Sequence, residues 1–171
     1  HKHSTAAQGG FKGNAPGSEP EYSFHWIGGG DTLFLFEAPI DMLSFISMHK
    51  QHWKSYSFAA ACGVSDKVLW QTLKDRPYIR KVLICLDNDA TGQKAAQRIS
   101  KTLGDKNICN KILVPTRKDW NEDLLFLRKE EASRVPLIRP AVVADRFNPQ
   151  YPSLAEAAMV SFCCTSSSRN R

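Results

Sequence analysis

The sequence lacks several features that would place it in other classes of protein. It has no run of about 18 consecutive apolar residues, which argues against a transmembrane helix. Its N-terminus shows no charged stretch followed by an apolar segment, so we expect no signal peptide. The five cysteines include no CxxC pair, which argues against a zinc site and a disulfide framework. We therefore expect a cytoplasmic protein with reduced thiols and no membrane partner.

The chain also has little excess charge. Its 171 residues carry a formal net charge of +6, which is compatible with a polyanionic partner but is shared by many proteins that never bind nucleic acid. Hydrophobic residues make up 42% of the sequence, which is enough for a packed core. The length favours one domain with tails.

Short apolar runs alternate with amphipathic segments along the middle of the chain. We predict strands at residues 32–36, 55–61, 81–86 and 111–114, and helices at 39–49, 65–74, 90–103 and about 119–129. Gly104 is typical of the residue just after a helix. The packed side of the first helix is expected to carry Ile40, Leu43, Ser44, Ile46 and Ser47. This order predicts an α/β, Rossmann-like fold, with a central parallel sheet of about four strands and helices on both faces.

The two ends of the chain differ in composition from the middle. Gly, Ser, Pro and His are frequent before Asp31, and prolines recur from Pro136 onward. We predict an irregular N-terminal arm at residues 1–30, with a short strand near 22–26. The single domain covers residues 31–131, and residues 132–171 form a partly disordered C-terminal extension.

Acidic residues follow two of the predicted strands. Glu37 comes directly after the first strand, and Asp87 and Asp89 come directly after the third. In an open parallel sheet, ligands bind beyond the carboxyl ends of the strands. If these two strands are neighbours, three carboxylates share one small volume and repel one another. Mg²⁺ would relieve that repulsion, because it prefers hard oxygen ligands.

Each acid also has a purely structural interpretation. Asp89 can cap a helix that starts at Ala90, and Asp41 can lie in a first helical turn because of the helix dipole. Asp41 is also one turn beyond Glu37 and could face the same crevice. The combination of two acids and a close-approach glycine, Gly92, directly after an apolar strand favours the metal site.

Three segments resemble motifs of the Toprim family. Residues 34–41, Phe-Leu-Phe-Glu-Ala-Pro-Ile-Asp, resemble its first motif, an apolar strand that ends in glutamate. Residues 83–96, which contain Asp87-Asn88-Asp89, resemble its DxD motif. Residues 118–123, Lys-Asp-Trp-Asn-Glu-Asp, resemble the segment after the fourth strand in primase-like members. The motifs are most similar to those of Toprim domains in mobile-element proteins of Gram-positive bacteria.

The resemblance implies a Toprim fold and a set of site residues. It implies that Glu37, Asp87 and Asp89 are catalytic residues and metal ligands, with Glu37 also the general acid/base. The outer contributors that it implies are Asp41, Asp119 and Asn121, with the first two counted among the metal-site residues. The implied cofactor is Mg²⁺, with Mn²⁺ as a substitute.

Five basic residues are candidates for contacts with a nucleic-acid backbone. They are Lys94, Arg98, Lys111, Arg117 and Lys118. The first two could equally belong to a solvated helix face. Trp120 could stack on a base or pack in the core.

Three functions remain open at this point. The first is Mg²⁺-dependent, primase-like nucleotidyl transfer in DNA replication or mobilisation of a mobile element, with single-stranded DNA and other replication or mobilisation proteins as partners. The second is a metal-dependent nuclease of Toprim type. The third is a non-catalytic nucleic-acid-binding module of a larger mobilisation protein. The short N-terminal arm favours the third function, or a fragment of a longer protein, over a self-sufficient primase, whereas the intact set of acids favours the two enzymes.

Overall fold

A five-stranded sheet forms the centre of the molecule. The computed structural model describes residue 17, residues 19–63 and residues 65–134. The strands are β1 (His25–Trp26), β2 (Thr32–Phe36), β3 (Ser57–Ala60), β4 (Lys81–Cys85) and β5 (Cys109–Ile112), in the order β1-β3-β2-β4-β5 across the sheet. β2 to β5 are parallel, whereas β1 pairs antiparallel with β3. The predicted α/β fold is confirmed, with one antiparallel edge strand added.

Helices cover both faces of the sheet, as predicted. They are α1 (Pro39–Met48), α2 (Lys67–Asp75), α3 (Ala90–Asp105) and α4 (Trp120–Arg134). Every residue of β2 and β3 is buried, as expected of parallel strands that are covered on both sides. Because side chains alternate along a strand, the sheet separates two cores.

The two cores differ in chemistry. Beneath α2 and α3 the core is aliphatic, with Leu33 and Ile84 packed against Leu69 and Ile99. Beneath α1 and α4 it is largely aromatic. There the ring centroids of Phe34 and Phe58 lie 5.1 Å apart and those of Phe45 and Trp120 4.8 Å apart. Such offset and edge-on ring pairs add stability beyond the burial of their area.

The packed side predicted for α1 is partly wrong. Ile40 and Leu43 are exposed, while Asp41, Met42 and Phe45 are buried with Ser44. The reason is α4, which packs along one flank of α1. That contact turns the polar residues Asp41 and Ser44 inward, where both hydrogen-bond Asn121.

Several predicted boundaries also shift. α3 runs through Gly104 to Asp105, and the chain then turns at Asn107, whose φ is 57°. β5 begins at Cys109 rather than at residue 111, because its register on β4 pairs Lys81 with Cys109. α4 continues to Arg134 rather than ending near residue 129.

The prediction of reduced thiols holds for two described cysteines and fails for a third. Cys62 is free and exposed, and Cys85 is free and buried. Cys109 is disulfide-bonded. Over the described ranges, no helix combines the length and apolar character needed to cross a bilayer.

Most of the predicted N-terminal arm and nearly all of the C-terminal extension lie outside the described residues. The domain boundaries at residues 30 and 131 therefore stay predictions. The short strand predicted within the arm is present as β1.

Replacing Trp120 by Phe is expected to lower the free energy of unfolding by about 1–3 kcal/mol. The buried indole Nε1–H donates to the Cys85 carbonyl oxygen at 2.8 Å, and phenylalanine has no such donor. Urea unfolding followed by far-UV circular dichroism measures the change.

Trp26→Phe is the matched control for this substitution. Trp26 is 39% exposed, and its Nε1 lies a long 3.4 Å from the Lys54 carbonyl oxygen, so its replacement should change stability little. Equal losses in the two variants would show that the buried hydrogen bond is unimportant.

Candidate functional site

The candidate site lies where β2 and β4 end side by side. Phe36 pairs with Cys85 in parallel register, so the chain leaves both strands at the same edge of the sheet. Glu37 follows β2 directly, and Asp87 follows β4 after Leu86. The condition for a shared acidic site, that these two strands are neighbours, is met.

Asp87 has the most unusual environment in the site. Its Oδ1 is buried and accepts no hydrogen bond from the part of the chain that the structure describes. Burial raises the pKa of Asp87 to about 7, and the charges of Glu37, Asp41, Asp119 and Asp89 add to that rise, in this order. Four other carboxylates therefore lie close enough to act on Asp87.

Gly92 allows the first turn of α3 to pack against the end of β4. A Cβ atom at this position would lie 2.5 Å from the Asp87 carbonyl oxygen, closer than any side chain tolerates. The same carbonyl accepts from Gln93 Nε2 at 2.9 Å. The backbone at Asp87 is thus held from two directions, and the prediction that Gly92 is a close-approach glycine is confirmed.

Asp89 caps α3. Its Oδ1 accepts a hydrogen bond from the Gly92 N–H at 2.8 Å, and Asp89 as a whole is exposed. The cap interpretation from the sequence is therefore confirmed. Its role as a metal ligand stays a prediction, since the cap occupies only one of the two carboxylate oxygens.

Asp41 and Asp119 lie where α1 meets the start of α4. Asp41 is buried, and its Oδ1 accepts from the Asn121 N–H at 3.2 Å. Burial raises the pKa of Asp41, the Asn121 N–H opposes this, and the charge of Asp119 raises it further. Asp119 accepts from the Glu122 N–H at 2.8 Å. Both acids therefore stabilise the junction of the two helices, while their charges act on Asp87.

One important acid was missed by the sequence analysis. The side chain of Asp123 is fully buried, and its two oxygens accept from the N–H groups of Thr116 and Arg117 at 2.8 and 2.9 Å. The Arg117 guanidinium lies 3.6 Å from the same carboxylate. Asp123 therefore fixes the loop between β5 and α4. Its only signal in the sequence is an acid in a first helical turn.

That loop is joined in turn to the DxD segment. The Asn88 N–H donates to the Lys118 carbonyl oxygen at 2.7 Å, and Asn88 Nδ2 donates to the Pro115 carbonyl oxygen at 3.2 Å. Asn88 thus connects two loops at the edge of the sheet where the acids lie.

The five basic candidates have different surroundings. Arg98 donates to Asp66 at 2.9 Å. Arg117 is held by Asp123 and lies 3.4 Å from the centroid of the Phe126 ring. Lys94 and Lys118 are exposed, and Lys111 is half-buried in β5. Nucleic-acid binding by all five stays a prediction. Trp120 is 4% exposed, so its packing role is the one that the structure supports.

The acids do not form a ready-made metal cage. Within the described ranges, no three His, Cys, Asp or Glu side chains converge closely enough to hold an ion as they stand. A divalent cation nevertheless fits the chemistry at Asp87, because its buried oxygen has no hydrogen-bond partner among the described residues and the surrounding carboxylates repel one another. Glu37 and Asp87 would hold it, with the second oxygen of Asp89 as a further ligand.

A family model described as Toprim-like matches residues 34–124, which include both acidic strand ends. The chain belongs to the Toprim-like family.

Two relatives of the Toprim-like chain match it over much of its length. It is 23% identical over 157 residues to the uncharacterised protein pXO2-78 of Bacillus anthracis, covering 81% of this chain and 45% of that protein. It is 30% identical over 104 residues to the uncharacterised MG010 homolog of Mycoplasma pneumoniae, covering 60% and 47%. The chain thus spans about half the length of the curated relatives it matches.

Two solved structures are similar to the Toprim-like chain at low identity. The primase fragment of the bacteriophage T7 primase-helicase aligns with a TM-score of 0.47 and 19% identity, covering 63% of this chain and 44% of that one. A complex of the T7 lagging-strand DNA polymerase with primase domains bound to an RNA/DNA hybrid and dTTP aligns with a TM-score of 0.45 and 21% identity, covering 63% and 54%.

In metal-free buffer, the contribution of Asp87 to the stability of the Toprim-like chain is expected to fall as the pH rises from about 4 to 7, while His49, whose pKa burial lowers to about 4, contributes in the opposite direction. The pKa of Asp87 is 3.8 when unfolded and about 7 when folded, so the folded state binds the extra proton in this window and loses that advantage above it. Asp87→Asn is neutral at every pH, so the melting temperature of the wild type minus that of this variant should fall as the pH rises from about 4 to 7. Differential scanning fluorimetry in EDTA measures both curves.

Asp105→Asn is the matched control, since Asp105 is an exposed acid at the end of α3. Its curve should follow that of the wild type. If the Asp87→Asn curve also followed the wild type, the buried carboxyl would not be the source of the pH dependence.

Proposed function

We propose that this Toprim-like domain carries out divalent-metal-dependent phosphoryl transfer on nucleic acid, as nucleotidyl transfer of the primase kind. One observation carries the proposal. A buried carboxylate oxygen of Asp87, without a hydrogen-bond partner among the described residues, lies at the strand end beside the one that presents Glu37. A buried carboxylate in that condition is what a cation site requires.

A bound divalent cation, Mg²⁺ or its substitute Mn²⁺, would supply charge neutralisation at the phosphoryl oxygens. Glu37 and Asp87 would hold it, and Glu37 would exchange a proton with the attacking hydroxyl as the general acid/base. The hydrogen bonds of Asp87, Asn88 and Asp89 to their neighbours keep the DxD segment in place before substrate arrives.

The basic residues nearest the acids would position the nucleic-acid backbone. The carbonyl oxygen of Lys118 accepts from the Asn88 N–H of the DxD segment, so its backbone lies beside the site, and its side chain is exposed. Lys94 lies in the second turn of α3, which begins at the same segment. Both are proposed phosphate contacts, with Arg98, Lys111 and Arg117 in supporting positions.

The wider role that we propose is DNA replication or mobilisation of a mobile element in the cytoplasm. Single-stranded DNA is the proposed template, and other replication or mobilisation proteins are the proposed partners. The support is the likeness of the two acidic motifs to those of mobile-element Toprim domains. Since the chain spans about half of its relatives, further segments of such proteins would contribute to the complete activity.

Two other functions use the same residues differently. A Toprim-type nuclease would direct the metal at an existing phosphodiester bond. A non-catalytic nucleic-acid-binding module would need the fold but not the metal.

A primer-synthesis assay separates the three functions. The protein is incubated with single-stranded DNA, labelled ribonucleotides and Mg²⁺ or Mn²⁺, and products are resolved on a denaturing gel. Glu37→Gln and Asp87→Asn should each lower primer synthesis by about 100-fold or more, because they remove the proton acceptor and a metal ligand. Glu131→Gln, an exposed acid on α4, should keep full activity.

Other outcomes contradict the primase. Shortened template that depends on the same two acids would identify a nuclease. Unchanged DNA binding in every variant, with neither product, would identify a non-catalytic module.

A further inference from the structure

Aromatic side chains form an exposed row at the edge of the sheet, away from the acidic site. Phe24 and Trp26 lie two residues apart along the chain and are 48% and 39% exposed. Trp26 pairs with Phe58 of β3, and the Phe24 carbonyl oxygen accepts from the Ala60 N–H at 2.9 Å. Since Phe58 faces the aromatic core, Phe24 and Trp26 lie on the face that α1 covers.

Trp53 extends this row from the loop that follows α1. Its ring centroid lies 5.1 Å from that of Trp26, with the ring planes 55° apart. The Lys54 ammonium is 5.9 Å from the Trp53 ring. We define Phe24, Trp26 and Trp53 as the edge platform.

The charge around the edge platform is basic. Residues 49–56, His-Lys-Gln-His-Trp-Lys-Ser-Tyr, contain no acid, and Lys50 and Lys54 are exposed. The two acids nearest in sequence to β1 are already paired. Glu21 lies 3.6 Å from Lys67 and Asp31 lies 3.4 Å from Lys81. A polyanion therefore meets rings and ammonium groups here, and both of these acids are already paired with lysines.

The edge platform leads toward the acidic site. The Phe24 carbonyl oxygen accepts a hydrogen bond from Ala60, the last residue of β3. Beyond β3, the Gly63 N–H donates to the Glu37 carbonyl oxygen at 3.0 Å, which connects this part of the chain to the site. Trp53 lies at the other end of α1, a helix of ten residues and about 15 Å. A strand that follows the platform along α1 would therefore reach the carboxylates.

We propose that the edge platform binds single-stranded nucleic acid, with bases stacked on Phe24, Trp26 and Trp53 and with phosphates near Lys50 and Lys54. Stacking on aromatic rings beside basic residues is the common mode of sequence-tolerant single-strand binding, because every base has a π-face. Duplex bases are already stacked and cannot use the rings. The proposal rests on the proposed function only in that the edge platform and the acidic site would both act on nucleic acid. Binding at the platform needs no metal.

Binding to a labelled oligo(dT) of 20 nucleotides in EDTA tests the edge platform by fluorescence anisotropy. Phe24→Ala should weaken binding about 5- to 150-fold, the range that removal of one stacking ring gives. Phe24→Tyr should restore it. Lys54→Ala removes little packing and should weaken binding less than Phe24→Ala does. It should also reduce the slope of log affinity against log salt concentration by about one, since one phosphate contact is lost. The same measurement with oligo(U) determines the preference between ribose and deoxyribose. A DNA duplex determines whether unpaired bases are needed.

Two matched controls lie away from the platform. Leu125→Ala removes an exposed apolar residue of α4, and Lys101→Ala removes an exposed lysine of α3 on the opposite face of the sheet. Both should bind like the wild type. Affinity lost with Lys101→Ala but kept with Phe24→Ala and Lys54→Ala would overturn the platform.

The remaining outcomes also decide the proposal. Failure of the wild type to bind oligo(dT) and oligo(U), or tighter binding of duplex, would overturn it. So would a wild-type dimer that Phe24→Ala converts to monomer while oligonucleotide binding stays unchanged, because the rings would then serve a protein contact. Binding that depends on Phe24 and Lys54, without any primer synthesis, supports the platform and removes only the enzymatic function.

Discussion

The parallel pairing of β2 with β4 positions the rest of the site. It brings two chain reversals to one edge of the sheet, and each reversal begins with an acid, Glu37 or Asp87. Parallel neighbours require crossover connections, so helices α1 and α3 must start at this same edge. Their first turns then bring Asp41 and Asp89 close to the strand ends. The topology of the sheet thus brings these positions together, and the acidic side chains at them then concentrate negative charge.

Such a concentration of carboxylates destabilises the folded chain unless other groups compensate. Part of the compensation is local, since Asp89, Asp119 and Asp123 accept hydrogen bonds from backbone N–H groups at loops and helix starts. Among the described residues, Asp87 has no such donor at its buried oxygen, and burial raises its pKa to about 7. A raised pKa at an acid that lies beside other acids is a pattern found at many functional sites.

The sequence predicted the structure correctly where the residues of a single helix or strand determine the position of a side chain. Apolar runs that end in acids predicted β2, β4 and the placement of Glu37 and Asp87, and Gly92 predicted a close backbone approach. The prediction was wrong or incomplete where a side chain's position depends on contact between two elements. The buried side of α1 depends on α4, and hydrophobic spacing within α1 carries no information about that neighbour. Asp123 was missed for the same reason, because its partners belong to the preceding loop.

The sheet also divides the domain into a methyl-rich half and a ring-rich half. Leucine, isoleucine and valine fill the core under α2 and α3, whereas Phe34, Phe45 and Trp120 dominate the core under α1 and α4. In nuclear magnetic resonance, the first half offers isotope-labelled methyl groups as reporters. The second half supplies ring currents that spread the resonances of its few methyl groups, such as those of Met42 and Ile46. Motions on the two sides of the sheet would therefore be observable separately in one sample.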